Sequence, residues 1–256
     1  MVKRKNIRNM EDITVILNGY KRPEYLEEQT LSILNQSIKP KEIWLWVNEC
    51  EGVKYPDKIK NIDVVVKSSR NFKYHGRFSL GLLADTKYIA FFDDDTIPGN
   101  NWFKNCISFL EKTPKCILGG AGVILNSKLY YLHERAGWPS PSDTATEVDL
   151  VGHAWFMERQ LLNHMWSEIP CSFHNGEDMQ LSFNAWITSG VRTFCPPHPA
   201  NDQSLWSSLK AWEYGNDKKA SSNGSLMPVQ NFYKQRDNII SHYLAKGYVP
   251  LKVRPK

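Results

Sequence analysis

The sequence predicts an α/β protein in which a mostly parallel central sheet is flanked by helices, with a helical extension at the C-terminal end. Three observations carry that expectation. Short apolar, β-branched runs alternate with helix-patterned segments through the first half of the chain, as in sheets covered on both faces. Polar residues gather just beyond the carboxyl ends of those runs, where ligands bind in such sheets. With 256 residues, 41% of them hydrophobic and 12% aromatic, the chain is large enough for a packed core.

The elements follow in order. "ITVIL" at 13–17 is a continuous buried-type run, and after the polar loop "NGYKR" Pro23 suits the first turn of a helix. That helix carries Leu26, Leu31, Ile33 and Leu34 near one face and ends before Pro40. "IWLWV" at 43–47, "IDVVV" at 62–66 and "YIAFF" at 88–92 are the next three strands. Trp102, Phe103, Cys106, Ile107 and Leu110 then recur at helical spacing. "ILGGAGVIL" near 117–125 reads as one strand, 126–147 as a long loop of the kind that forms lids, and "VDLVGHAWFM" as resumed strand. "ERQLLNHMW" reads as a short helix; Glu177 opens another that Gly190 caps, and a strand follows. Helices are expected at 203–213 and 229–246, joined by a flexible stretch, "GNDKKASSNGS", at 215–225.

Composition removes several classes. The formal charge of +5 owes much to "MVKRKNIRNM", which reads as a solvated basic tail, and no nucleic-acid partner is expected. The five cysteines are scattered with no C-x-x-C spacing, against a zinc site or a disulfide framework. No apolar run spans a bilayer and the N-terminus lacks a secretory signal, so a soluble cytoplasmic protein is expected. Nine tryptophans and eleven tyrosines exceed the needs of a core, and protruding rings stack on bases or on the apolar faces of sugars.

Candidate chemistry centres on "FFDDDTIPG". Asp93, Asp94 and Asp95 directly follow a strand; like charges repel and are costly to desolvate, an arrangement that calls for a cation. Adjacent carboxylates hold Mg²⁺ or Mn²⁺ through oxygen, together with substrate phosphates, although an acidic turn before the helix near Asn101 is the plain structural alternative. Lys67, Arg70, Lys73, His75 and Arg77 could offset phosphate charge. Glu49, at a strand end, could accept the imide hydrogen of a pyrimidine or the N–H groups of guanine. "GED" at 176–178 places Asp178 at a helix N-terminus, where backbone N–H groups favour an anion able to act as general base; capping is the alternative role. His198, in the proline-stiffened "CPPHPAND", offers a nitrogen that suits Mn²⁺.

In order, these motifs resemble the GT-A superfamily of nucleotide-sugar-dependent glycosyltransferases, particularly its family 2-like group. "ITVILNGYKRPEYLEEQTLSILNQS" resembles that group's opening strand, loop and helix. "WVNECEG" stands where its paired acids are usual, with Asn48 in place of one of them. "GRFSLGLLADTKYIAFFDDDTIP" is similar to the run from an arginine to the D-x-D motif, and "GEDMQLSFNAW" to the E-D motif. The resemblance implies a single GT-A (Rossmann-like) domain: a tail at 1–11, a nucleotide-sugar-binding half at 12–112, an acceptor-binding half at 113–200 and a helical extension at 201–256. It implies that Asn18, Tyr20, Glu49, Arg77, Asp93 and Asp94 contact the nucleotide sugar, and that Asp95 and His198 hold Mn²⁺ or Mg²⁺, with Asp94 the alternative metal ligand. Asp178 becomes the base of an inverting transfer from a nucleoside-diphosphate sugar, UDP-sugars favoured, to a glycan hydroxyl. Trp138, His153 and Trp155 are assigned to the acceptor. Similarity of "GEDM" to exostosin-type enzymes keeps retention as an alternative. A haloacid-dehalogenase-like phosphatase and a non-catalytic metal- or sugar-binding module are the rival classes.

Overall fold

The computed structural model describes residues 12–215, 219 and 228–254; the basic tail and most of the 215–225 connector lie outside them. The first half builds four parallel strands, β1 (Ile13–Gly19), β2 (Glu42–Val47), β3 (Val64–Lys67) and β4 (Tyr88–Phe92), in the order β3-β2-β1-β4. Their uniformly apolar composition has a direct cause. Ile13, Val15 and Leu17 point into one core layer and Ile16 into the other, because successive strand residues face opposite sides. The first layer is closed by α1 (Leu26–Leu34) and α3 (Trp102–Lys112), the second by α2 (Gly76–Gly81) and a 3-10 segment at Arg159–Trp166.

The inner face of α1 departs from the sequence pattern. Leu26, Gln29, Thr30 and Ile33 are buried, whereas Leu31, off that i, i+3, i+4, i+7 stripe, is 47% exposed. Gln29 takes the inward place because it has work for both amide hydrogens: its Nε2 donates to the carbonyls of Asp93 at 2.6 Å and Thr96 at 2.8 Å. Gln36, just beyond α1, donates to Gly99 O at 2.7 Å and accepts from Phe103 N at 3.1 Å. Two buried glutamines thus fasten the loop that carries the three aspartates.

The second half corrects the strand assignments. "ILGGAGVIL" is two strands, β5 (Cys116–Leu118) and β6 (Ala121–Ile124), in different sheets. Gly119 N donates to Phe194 O on the main sheet and Gly120 N to Gly152 O on the small one. A Cβ at Gly119 would lie 2.5 Å from Val151 Cβ, so only glycine fits at this crossing. The stretch 126–147 is not one long loop: it holds a 3-10 turn at Tyr130–Leu132, β7 (Glu134–Gly137) and the start of β8 (Thr146–Val148), after which come β9 (Leu150–Gly152) and β10 (Trp155–Glu158). β10 inserts antiparallel between β4 and β5, and β11 (Arg192–Cys195) and β8 complete the eight-stranded sheet; β7-β6-β9 form a small antiparallel sheet. Between β9 and β10 the chain turns at His153, whose φ of 64° is left-handed, a conformation uncommon outside glycine.

α4 (Glu177–Ser189) ends at Gly190 in the left-handed conformation that commonly caps helices. The stretch at 203–213 is not one helix but a 3-10 turn at Gln203–Leu205 and the single turn α5 (Ala211–Tyr214). The long C-terminal helix α6 (Val229–Ala245) packs Ile239, Ile240 and Tyr243 against Met179 and Phe183 of α4. No helix among the described residues is long and apolar enough to cross a membrane.

Gln29→Ala tests the fastening of the aspartate loop. It strands two buried carbonyls, so urea unfolding should show a loss of about 1–3 kcal/mol; an unchanged midpoint would mean that water replaces the amide.

Candidate active site

A cavity of about 590 Å³ opens beyond the carboxyl ends of β1, β2 and β4; Asn18, Tyr20, Arg77, the three aspartates, Trp138, His153, Trp155 and Asp178 line it, whereas Glu49 and His198 do not. At one end Asn18, Tyr20 and Asn48 meet the loop before α2. Tyr20 Oη accepts from Asn71 Nδ2 at 2.8 Å, and Asn48 Nδ2 donates to Asn71 Oδ1 at 2.8 Å and to Lys73 O at 3.1 Å. Asn48, standing where an acid is usual, therefore organises this loop as both donor and acceptor, since its Oδ1 also accepts from Phe72 N at 2.9 Å. Glu49 is exposed and outside the cavity wall. Of the basic segment, Lys73 and Arg77 reach the cavity; Lys67 pairs with Asp57, Arg70 lies over the Phe72 ring, and His75 is buried.

The three aspartates separate by partner. Asp94 is held by Arg22 Nη1 at 2.7 Å and accepts from Lys21 N at 3.2 Å. Asp93 pairs with Arg77, whose other nitrogen lies 3.5 Å from Glu177 Oε1. Asp93, Asp95 and His153 each offer a ligand atom, all within 4.8 Å of one another. Burial pushes the Asp94 carboxyl up to about 7, with Asp95 adding to it and Arg22 opposing; burial raises Asp95 as well. A pair of carboxylates and a ring nitrogen crowded in this way fits a divalent cation.

His198 is not in this cluster. It is fully buried, its Nδ1 meets Pro196 O and its Nε2 meets Ser207 Oγ, both at 2.8 Å, and its ring packs between Trp102 and Trp206. Burial lowers it to about 4, so it is a neutral tie within the 196–207 segment. The nitrogen beside the aspartates belongs to His153, which the left-handed turn between β9 and β10 delivers there.

Asp178 opens α4 after Gly176, whose φ is 86° and where a Cβ would lie 2.4 Å from Ile239 Cδ1. Its Oδ2 is 2.6 Å from Nη2 of Arg236, a residue of α6 that lines the cavity and that the sequence reading does not include. The available signal is a charge at 236 on the helix stripe otherwise occupied by Ile239, Ile240 and Tyr243. Next to it, burial pushes Glu177 up to about 8, with Asp178 contributing and Arg77 opposing.

Trp155 is buried beneath the Arg77 guanidinium, 4.9 Å from it, and edge-on to Phe78, so it braces that arginine from the cavity wall. Trp138 lies 5.1 Å from the His153 ring and 6.4 Å from that of Trp212, a second residue beyond the sequence reading, 69% exposed at the cavity mouth.

This arrangement agrees with the comparisons to known proteins. TarS from S. aureus, a solved structure, superposes over 96% of this chain and 46% of its own length, with a TM-score of 0.54 and 15% identity. That likeness concerns the fold, and the chain spans less than half of TarS. No curated protein matches the sequence. The profile of Glycosyl transferase family 2 matches residues 14–166, more than half of the chain and the whole run from β1 through the aspartates to His153. On that match, with the mixed sheet and the aspartate-bearing strand end that accompany it, the chain belongs to glycosyl transferase family 2.

Proposed function

We propose that this protein transfers a sugar, with inversion, from a nucleoside-diphosphate sugar to an acceptor hydroxyl, with a divalent cation as cofactor and Asp178 as general base. One observation carries the reading: the Asp93–Asp95–His153 cluster and the N-terminus of α4 with Asp178 line the same cavity beyond the strand ends. Asp95, Asp93 and His153 would hold Mn²⁺ or Mg²⁺, which supplies positive charge to offset a departing diphosphate.

The chain's own groups account for the rest. The Asn18, Tyr20 and Asn48 end, with Lys73 beside it, is polar and basic enough for a nucleotide and its phosphates; a UDP-sugar is the favoured donor. Asp178 accepts the hydroxyl proton as the acceptor oxygen bonds to the anomeric carbon and the bond to the diphosphate oxygen breaks. Arg236 Nη2 lies 2.6 Å from that carboxylate, which sits at the N-terminus of α4 where backbone N–H groups favour an anion. An ionised aspartate is a weak base, so its contribution rests on placement within reach of the hydroxyl. Trp138 and the exposed Trp212 line the cavity beside His153, and such rings stack on the apolar faces of a glycan acceptor.

Four outcomes test this. Asp178→Asn should retain the thermal shift produced by nucleotide and Mn²⁺ while transfer falls by on the order of 10²–10⁴-fold, the span typical of general bases; full transfer by that variant would end the proposal. In a donor screen by thermal shift, Mn²⁺ should raise Tm for the wild type and not for Asp95→Asn. Because burial raises the Asp95 carboxyl and ligation requires it deprotonated, the apparent Mn²⁺ affinity should weaken as pH is lowered. Trp212→Ala should raise the acceptor KM about 5- to 30-fold and spare donor hydrolysis, as loss of ~1–2 kcal/mol of stacking predicts.

A further inference from the structure

We propose that Arg236 is a positioning residue for Asp178, so that α6, beyond the family-matched segment, is a working part of the active site. The inference rests on the reading of Asp178 as the base.

Arg236 occupies a place that packing alone would give to an apolar side chain. It is 4% exposed and shares the buried stripe of α6 with Ile239, Ile240 and Tyr243. Removing a guanidinium from water is costly unless it is paired and hydrogen-bonded, and a hydrophobic residue there would commonly make a more stable interface with α4. The charge is therefore explained by what it holds.

It holds both sides of one turn. Nη2 lies 2.6 Å from Asp178 Oδ2, and Nη1 donates to Asn175 Oδ1 at 3.1 Å, so a single planar fork spans the residues flanking Gly176 and Glu177. The fork is itself oriented, since its Cζ stacks 4.1 Å from the Tyr130 ring centroid and 5.6 Å from that of Phe232. Met179 N donates to the other carboxylate oxygen at 2.8 Å. Both oxygens of Asp178 are thus fixed by neighbours, while each keeps a second lone pair for an incoming hydroxyl. An aspartate whose value as a base depends on placement gains from such clamping, and a lysine, a point charge without the fork, reproduces it only in part.

The experiment compares Arg236→Lys, Arg236→Gln and Asp178→Asn, alone and combined, measuring kcat, acceptor and donor KM, and the thermal shift with UDP and Mn²⁺. Both Arg236 variants should keep the nucleotide shift and a donor KM within about 2-fold of wild type, while kcat falls roughly 10-fold for Lys and on the order of 10²-fold for Gln. In the Asp178→Asn background neither change should lower kcat further, because a residue acting through Asp178 has nothing left to position. Should Arg236→Gln fail to fold, Arg236→Lys and its combination with Asp178→Asn decide the matter by the same criteria. Wild-type kcat in Arg236→Lys, or additive losses in the double variant, overturns the inference while leaving the base intact. Wild-type transfer by Asp178→Asn instead removes the base itself.

Discussion

The structure depends on one electrostatic constraint: three consecutive carboxylates sit at the end of a strand buried on both faces. Asp94 and Asp95 are nearly inaccessible to water, and mutual repulsion with burial drives their carboxyls upward. Two buried arginines make the arrangement tolerable, Arg22 from the loop after β1 and Arg77 from α2. Each arrives from a different element, so the sheet order β2-β1-β4 and the position of α2 are prerequisites for the charge balance. The loop backbone is held too, by Gln29 at Asp93 and Thr96 and by Gln36 farther along at Gly99.

The same logic extends across the cavity. Arg22 with Asp94, Arg77 with Asp93 and Glu177, and Arg236 with Asp178 form three buried acid–base contacts, supplied by loop, helix and C-terminal helix respectively. Buried ion pairs rarely add net stability, because desolvation consumes much of the attraction. Three around one cavity are better understood as preorganisation: fixed charges need little rearrangement when charge develops on a bound substrate. Trp155 contributes by bracing Arg77 rather than by standing open to an acceptor.

Much of the fold was legible because buried parallel strands leave unbroken apolar runs. "YIAFF" coincides with β4, and Trp102, Phe103, Cys106, Ile107 and Leu110 all lie on the buried face of α3. Legibility failed where local pattern and tertiary need diverge. Leu31 has helical spacing yet sits off the buried stripe, whose place is taken by a glutamine needed for hydrogen bonding. The Gly119–Gly120 pair looks like the middle of a strand but is where the chain leaves one sheet for another, a change invisible to periodicity. Of the site, the aspartates and Asp178 were legible from their place at element ends. His153 and His198 differ in a way that only the fold decides, since one ring is enclosed by two tryptophans and the other is turned toward the carboxylates. Trp212 and Arg236 come from a region whose short elements and solitary charge carry little pattern of their own.

The division of labour along the chain has a physical basis in these placements. The family-matched segment ends at residue 166, after the elements that carry Asn18, Tyr20, Asn48 and the aspartate cluster. Asp178, Trp212 and Arg236 all follow it and line the cavity, the first and last from α4 and α6, which share a core cluster with Val123 and Leu150 of the small sheet. The parallel-strand part of the cavity is held through backbone and buried ion pairs that tolerate little change. The exposed faces of α5 and α6 are bound by fewer such constraints. Arg236 marks the limit of that freedom: α6 can vary where it faces solvent, but the turn that meets Asp178 is tied to the centre of the cavity.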